Sequence, residues 1–357
     1  MSRQDSRSFC DSRGDEEPLV SVVVLNFNGG GVLRECLRSV SRTEYSNFEV
    51  IVVDNCSSDE SCLVVEREFP QFRLVRNSGN FGYSKGNNVG IACSRGDFVV
   101  LLNNDTVVTP GWLSELVREA RRDPDCFYQP KILFVGSDRM NSAGNCVQLF
   151  GFAFPRGLGE VDVGQYDGKC EVSYASGACV LASRRLVEDV GLLDEGFFTF
   201  YEDVNWGWRG LMRGFRTVYV PSAVVYHRWG SSWGRLMSST KFFLIERGRL
   251  ATILKNYSSR TLIVMLPLLF LIELIVLFYS LMKGFMSEKI GVYSNLIKNW
   301  GELLRKRREI QNIRRKSDTF VTSFFSEELT HPYLGRFSVV LSKLLGSLSR
   351  IVRPLIK

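Results

Sequence analysis

Runs of aliphatic residues that end in amides or an acid constrain this chain more than any other feature. They are "LVSVVVLN" (19–26), "FEVIVVDN" (48–55), "FRLVRN" (72–77) and "DFVVLLN" (97–103), with amphipathic stretches near 32–42, 59–68 and 84–94 between them. A strand wetted on one face alternates apolar and polar residues. The continuous Val/Ile/Leu of these runs requires cover on both faces, so the expectation is an α/β fold: a doubly wound, Rossmann-like and mostly parallel sheet with flanking helices. Ligands of such sheets gather at the carboxyl ends of the strands. There stand Asn26 and Asn28, Asp54 and Asn55, Asn77 and Asn80, and Asn103, Asn104 and Asp105.

From about residue 125 the pattern loosens into glycine-rich short segments, and order returns at 171–191, a strand then a helix. "YEDVNWGWRGLMRGF" (201–215) reads as a helix that Asp203 caps, with Val204, Trp208, Leu211 and Met212 on one face. "TVYVPSAVVYHR" (217–228) reads as strand, turn and strand. Leu262–Met282 is an apolar stretch in which Glu273 is the sole charge, long enough to cross a bilayer at ~20 residues. Pro267 and Glu273 argue instead for a segment that enters and returns, or lies at the surface, with a buried core helix as the alternative.

Lys and Arg balance Asp and Glu through residue 261 (30 against 31), whereas residues 283–357 carry 15 against 6, so the formal charge of +7 belongs to the tail. A basic segment behind an apolar one fits anionic lipid better than base readout; membrane lipid is the expected partner and nucleic acid is not. Nine scattered cysteines without a CxxC pair, and only two histidines, His227 and His331, argue for reduced thiols and against a zinc cluster. The first 18 residues lack an apolar signal core and read as a disordered leader.

Three segments offer chemistry. "NFNGGGVLREC" sets three glycines between strand and helix, matching neither a P-loop nor a dinucleotide fingerprint, so ligand contact and turn chemistry are equally open. Asp54 can meet a base or ribose, or cap the next helix, a task that Ser57, Ser58 or Asp59 can also fill. "NSGNFGYSKGNNVGIA" presents backbone N–H groups and amides ahead of a helix, with Lys85 adding charge; a diphosphate site and a plain connector both fit.

In order and register, "SVVVLNFNGG", "EVIVVDNCSSD", "NFGYSKGNNVGI", "DFVVLLNNDT", "FFTFYEDVNWGWR" and "VYHRWGSS" resemble the family-two glycosyltransferases of GT-A fold, notably the rhamnosyltransferase-like branch, from about Leu19 to Tyr257. The resemblance implies transfer of a sugar from a nucleotide diphosphate to an acceptor hydroxyl, with inversion and a divalent cation, Mn²⁺ or Mg²⁺. Carried over by position, it puts Asn26, Phe27 and Asn28 beside the nucleotide, Asp54 at the base, and Asn80 and Lys85 in the nucleotide pocket. Asn103, Asn104 and Asp105 take the place of the DxD metal motif, leaving Asp105 as its one carboxylate, and His227 is a second candidate metal ligand. Asp203 matches the catalytic base, Glu202 orients it or the acceptor, and Trp206, Trp208 and Arg209 are candidate acceptor contacts.

The organisation implied is a catalytic domain over 19–257, divided into a nucleotide-sugar half (19–125) and an acceptor half (126–257), then a membrane-associated helical tail (258–357). A saccharide or lipid-linked acceptor and a place on the cytoplasmic face of the cell membrane follow by the same analogy. The competing readings are a sugar nucleotidyltransferase, whose first loop should carry an Arg or Lys absent from "NFNGGG", and an inactive sugar-nucleotide-binding membrane protein.

Overall fold

The computed structural model describes residues 17–228, 237–327 and 335–356, with side chains in the last segment from residue 342. The expected leader thus lies almost wholly outside the described residues, as do His331 and the end of "VYHRWGSS". The first half runs β1 (Val20–Asn26), α1 (Gly30–Val40), β2 (Phe48–Asp54), α2 (Ser61–Glu68), β3 (Arg73–Arg76), α3 (Gly82–Cys93), β4 (Phe98–Asn103), β5 (Thr106–Val108) and α4 (Trp112–Arg122). β4, β1, β2 and β3 lie side by side and parallel, so Asn26 pairs with Asp54, and Leu25 with Asn103, at one end of the sheet.

The continuous apolar runs are explained by cover on two faces. Val22, Val24, Val50, Val52, Val100 and Leu102 pack with Leu33, Leu37 and Val64 of α1 and α2 and with Leu116 of α4. Val23, Ile51, Val53, Val99 and Leu101, one residue out of phase, share a second core with Ile91 of α3. Successive side chains of a strand point to opposite faces, so a strand buried twice has no polar positions to spare until it ends.

The second half adds β6 (Cys126–Phe134), β7 (Met140–Ser142), β8 (Asn145–Val147), β9 (Ala153–Pro155), β10 (Cys170–Val172), β11 (Cys179–Ser183), α5 (Arg184–Val190), α6 (Glu202–Arg213) and β12 (Arg216–His227). β11 enters antiparallel between β4 and β6, β12 is parallel to β6, and β8 and β9 form a separate hairpin. Two expectations are corrected here. Residues 216–227 are one strand, whose register shift between Val220 and Val224 absorbs Pro221 as a bulge, a setting in which a missing N–H costs no ladder bond. Asp203 does not cap α6: Tyr201 stands at the N-cap in a left-handed conformation without a side-chain cap bond.

The remaining helices are α7 (Ser239–Asn256), α8 (Ser259–Lys283), α9 (Met286–Lys298), α10 (Trp300–Ile313), α11 (Asp318–Ser323) and α12 (Gly335–Val352). They fold back on the second half. Met265, Ile272, Val276, Ile310, Val321 and Leu345 share one core with Phe150, Tyr174, Trp208, Leu211 and Tyr257, so the boundary expected at residue 257 runs through continuous packing. Polar contacts repeat the point: Gln148 Nε2 donates to Ser349 Oγ at 2.8 Å and Ser326 N to Val147 O at 2.8 Å.

Candidate active site

At the carboxyl ends of β1, β2 and β4, side-chain amides and hydroxyls bond to one another. Asn26 Nδ2 donates to Asp54 Oδ1 (2.9 Å) and Ser57 Oγ (3.1 Å), and Asn104 Nδ2 donates to Asn26 Oδ1 (2.7 Å). Ser57 donates to Asp54 from its N (2.8 Å) and Oγ (2.6 Å), while Asn28 N donates to Ser57 Oγ and Asn28 Oδ1 accepts from Ser58 N, both at 2.8 Å. Of the three candidates to serve the start of α2, Asp59 does so, its Oδ1 accepting from Ser61 N (3.0 Å), while Ser57 is bound instead to Asp54, whose carboxylate has one of about four lone-pair positions left. One glycine of the run, Gly29, is required by packing. A Cβ there would stand 2.2 Å from Asn26 Oδ1 and 2.4 Å from Asn104 Nδ2, so only glycine admits the pair.

A second amide chain joins the next loops. Asn77 Nδ2 donates to Asn55 Oδ1 (2.8 Å), and Asn55 Nδ2 donates to Asn80 Oδ1 (3.3 Å) and Gly82 O (3.0 Å). Lys85 is exposed on α3, its Nζ 4.3 Å from the centre of the Phe81 ring.

Antiparallel pairing of Thr106 with His227 brings β5 and β12 together just past Asp105. His227 Nε2 lies 3.1 Å from Asp105 Oδ1, and Nδ1 lies 3.3 Å from Asn141 Oδ1. Asp105 is 8% exposed, and its Oδ1 has no hydrogen-bond partner, the imidazole being near but out of line. A buried carboxylate oxygen without a donor is costly in a finished structure and ordinary at a cation site. Among the described residues no cluster of three or more His, Cys, Asp or Glu side chains is placed to hold a metal; Asp105 and His227 stand as a pair.

Glu202 and Asp203 open α6 on a strained turn. Phe200 (φ 65°) and Tyr201 (φ 71°) are both left-handed, a conformation that costs a non-glycine residue roughly 1–2 kcal/mol. Asp203 accepts from Gly177 N (3.0 Å) through Oδ2 and from Val204 N (2.8 Å) through Oδ1. Burial raises its carboxyl above the usual range and those two N–H groups oppose the rise. Glu202 is buried with Oε2 unpartnered; burial first, and the charge of Asp203 second, push it well above the usual range. Burial and the neighbouring like charge act on Glu202 without opposing side-chain donors, whereas two N–H groups favour the charged form of Asp203. Tyr83 joins the two halves. Its Oη donates to Gly177 O (2.6 Å), and burial first, then the neighbouring acidic groups, Asp203 and Asp105 among them, raise its phenol.

The expected acceptor contacts Trp208 and Arg209 are corrected. Trp208 is fully buried, edge-on to Tyr257 and Phe325, so it has no face to offer a sugar. Trp206 is 3% exposed, packs edge-on to Phe127 and donates to Gly191 O (2.9 Å), but it lines one small cavity with Asp203, Tyr83 and Gly177 and so stays beside the site. Arg209 reaches neither Glu202 nor solvent: its guanidinium donates to Asn205 Oδ1, Val190 O and Leu192 O, satisfying carbonyls past α5, and burial lowers its pKa to about 10. Helical spacing put all three near Asp203 without telling which side they face. Tyr83, Gly177 and Asn141 were not anticipated, because each is near the site only through strands distant in sequence; the glycine of "YASGACV" before β11 was the available signal.

A family profile described as "Glycosyl transferase family 2" matches residues 21–191. The Sinorhizobium fredii protein y4gI is 33% identical over 61% of this chain, and the O-antigen biosynthesis protein RfbC of Myxococcus xanthus is 30% identical over 60%. This chain spans only 25% and 18% of their lengths. The N-acetylglucosaminyl-diphospho-decaprenol L-rhamnosyltransferase of Mycobacterium tuberculosis is 28% identical over 61% of this chain and 78% of its own. In structure the chain is similar to GalNAc-T7, solved with UDP, GalNAc and Mn²⁺, at a TM-score of 0.57 and 14% identity over 71% of this chain and 51% of that one. The parallel sheet, the amides at its strand ends and these relatives agree: residues 21–191 carry a family-two glycosyltransferase domain, on the GT-A fold of its structural neighbours and with a rhamnosyltransferase among its named relatives.

Proposed function

We propose that the chain is an inverting glycosyltransferase that moves a hexosyl or deoxyhexosyl group from a nucleotide-diphosphate sugar to a hydroxyl of a saccharide or lipid-linked acceptor, in cell-surface polysaccharide or glycan synthesis. The observation that carries this reading is the partnerless Asp105 oxygen beside His227, held with the Glu202–Asp203 pair around Tyr83. Asn26, Asn28, Asp54, Asn80, Lys85, Asn103 and Asn104 border the nucleotide and diphosphate. Asp203 takes the proton of the acceptor hydroxyl as its oxygen attacks the anomeric carbon opposite the departing diphosphate, a single displacement that inverts configuration. Neutral Glu202 leaves the negative charge on Asp203.

Asp105 and His227 suit Mn²⁺ or Mg²⁺, and with one carboxylate the ion is held firmly only when the donor diphosphate adds its oxygens. Once bound, the cation offsets the charge of the leaving nucleotide diphosphate. The decaprenol named for the mycobacterial relative supports a lipid-linked acceptor here.

A place on the cytoplasmic face of the membrane is supported by an 18-residue stretch of α8 of mean hydropathy 2.8. Thr261, Met265, Ile272, Val276 and Ser280 are buried on one side of it, while Ile263, Leu266, Phe270, Leu274, Phe278 and Leu281 stand exposed on another. Protein covers the first side, so α8 lies along one leaflet rather than across two, with exposed Lys283, Lys298 and Trp300 at the headgroups. In sealed vesicles, a C-terminus digested by protease added on the side of the catalytic domain fits this arrangement; full protection contradicts it.

The test of the chemistry is Asp203→Asn. A drop in kcat of about 10²- to 10⁴-fold at unchanged donor affinity, with wild-type product of inverted anomeric configuration, is expected. Retention of configuration, or an active Asp203→Asn, rules the mechanism out.

A further inference from the structure

Behind α8 lies a buried charge cluster that the reaction does not use. Arg249 of α7, with no exposed surface, donates Nε to Glu246 Oε1 (3.0 Å) and Nη2 to Glu246 Oε2 (2.8 Å) and to Glu273 of α8. Lys289 Nζ of α9 reaches Glu246 Oε2 (2.7 Å) and Glu273 Oε2 (2.8 Å), and Tyr293 Oη donates to Glu273 Oε2 (2.7 Å). Two acids and two bases cancel, as buried charges must. Glu273, costly in lipid, thus faces protein.

The same guanidinium points toward the catalytic turn. Its Nη1 donates to Phe150 O (3.3 Å), and it lies 4.6 Å over the Phe152 ring. Phe150 is in the tight turn between β8 and β9, closed by Gly151 N donating to Gln148 O (2.7 Å). The next carbonyl, Gly151 O, accepts from Tyr201 Oη at 3.0 Å. Beside Arg249 on α7, Gly248 meets the same tyrosine: a Cβ there would stand 2.6 Å from Tyr201 Cβ. Tyr201 is the left-handed residue directly before Glu202 and Asp203. Such backbone persists only where its surroundings over-determine it.

We infer that Arg249 is a positioning residue for Asp203, holding the left-handed Tyr201 turn through the Phe150–Gly151 carbonyls while Glu246, Glu273 and Lys289 fix the guanidinium from α7, α8 and α9. The inference rests on Asp203 being the base. It makes the helices that carry the apolar surface part of the catalytic geometry.

The experiment compares Arg249→Lys, Tyr201→Phe, the double variant and Asp203→Asn in the full chain. Arg249→Lys keeps the charge and loses the fork; Tyr201→Phe loses one hydroxyl and is the variant that folds if the other does not. Each is expected to lower kcat about 10- to 100-fold at unchanged donor KM and to displace the acid limb of the kcat–pH profile. The double variant is expected to be no worse than the poorer single one, because both act through one turn. Normal kcat per folded molecule in both single variants, or additive losses in the double, overturns the proposal. An active Asp203→Asn overturns the base assignment instead, and inactivity of that variant beside active Arg249→Lys and Tyr201→Phe overturns only the positioning.

Discussion

Asn103 and Asp105 stand two residues apart after the same buried strand and are predicted to matter unequally. Asn103 serves through its backbone, N donating to Ala178 O (3.0 Å) and O accepting from Thr106 Oγ1 (2.7 Å), whereas Asp105 offers a buried oxygen with no donor. Asp105→Ala should cost about 10²- to 10³-fold in transfer, and Asn103→Ala less than about 10-fold, measured at saturating Mn²⁺. Gly29→Ala should push apart the Asn26–Asn104 pair, lowering stability by about 1–3 kcal/mol in urea titration and weakening donor binding with it. Glu202 sets a pH dependence. Its folded pKa lies above its unfolded value, so the proton it holds stabilises the fold fully below the usual carboxylate pKa of about 4.3, and that contribution is lost as pH rises toward the folded pKa. In Glu202→Gln the corresponding decline as pH rises above the usual carboxylate range should flatten. An unchanged slope in the urea midpoint would place the proton elsewhere.

At the scale of elements, α8 gives the sharpest contrast. Phe270→Asp with Phe278→Asp alters the exposed side alone, so unfolding should shift by less than about 1 kcal/mol while binding to anionic vesicles is lost; Ile272→Asp, on the side packed against the core, should unfold the second half. Equal effects from both would mean that α8 is not two-sided. The helix also shows what was legible beforehand. Length and composition identified it, and the doubt raised by Glu273 was well placed, but its partners Arg249 and Lys289 lie on other helices and no local pattern names them. β1, β2 and β4 were legible because double burial leaves a signature in consecutive residues, and the polar residues that end them follow from topology. β12 was misread because Pro221 signals a turn locally while pairing with β6 carries the strand past it. Trp208 and Arg209 were misassigned because a helix of mixed composition does not announce which side meets the core.

For the molecule as a whole, the core shared between 145–257 and the last hundred residues makes the tail part of the fold. A chain ending at Tyr257 would expose the apolar surface under Met265, Ile272 and Ile310, and is expected to lose cooperative unfolding by circular dichroism; a stable, donor-binding fragment would contradict this. The same continuity joins the apolar helix α8 and the turn before Asp203 through one core. The most direct measurement of the central claim is sugar transfer by the full chain from a panel of nucleotide-diphosphate sugars, with Mn²⁺ and after chelation. The account predicts that at least one donor turns over and that chelation stops it. If no donor turns over and none raises the melting temperature, the chain is not the enzyme proposed.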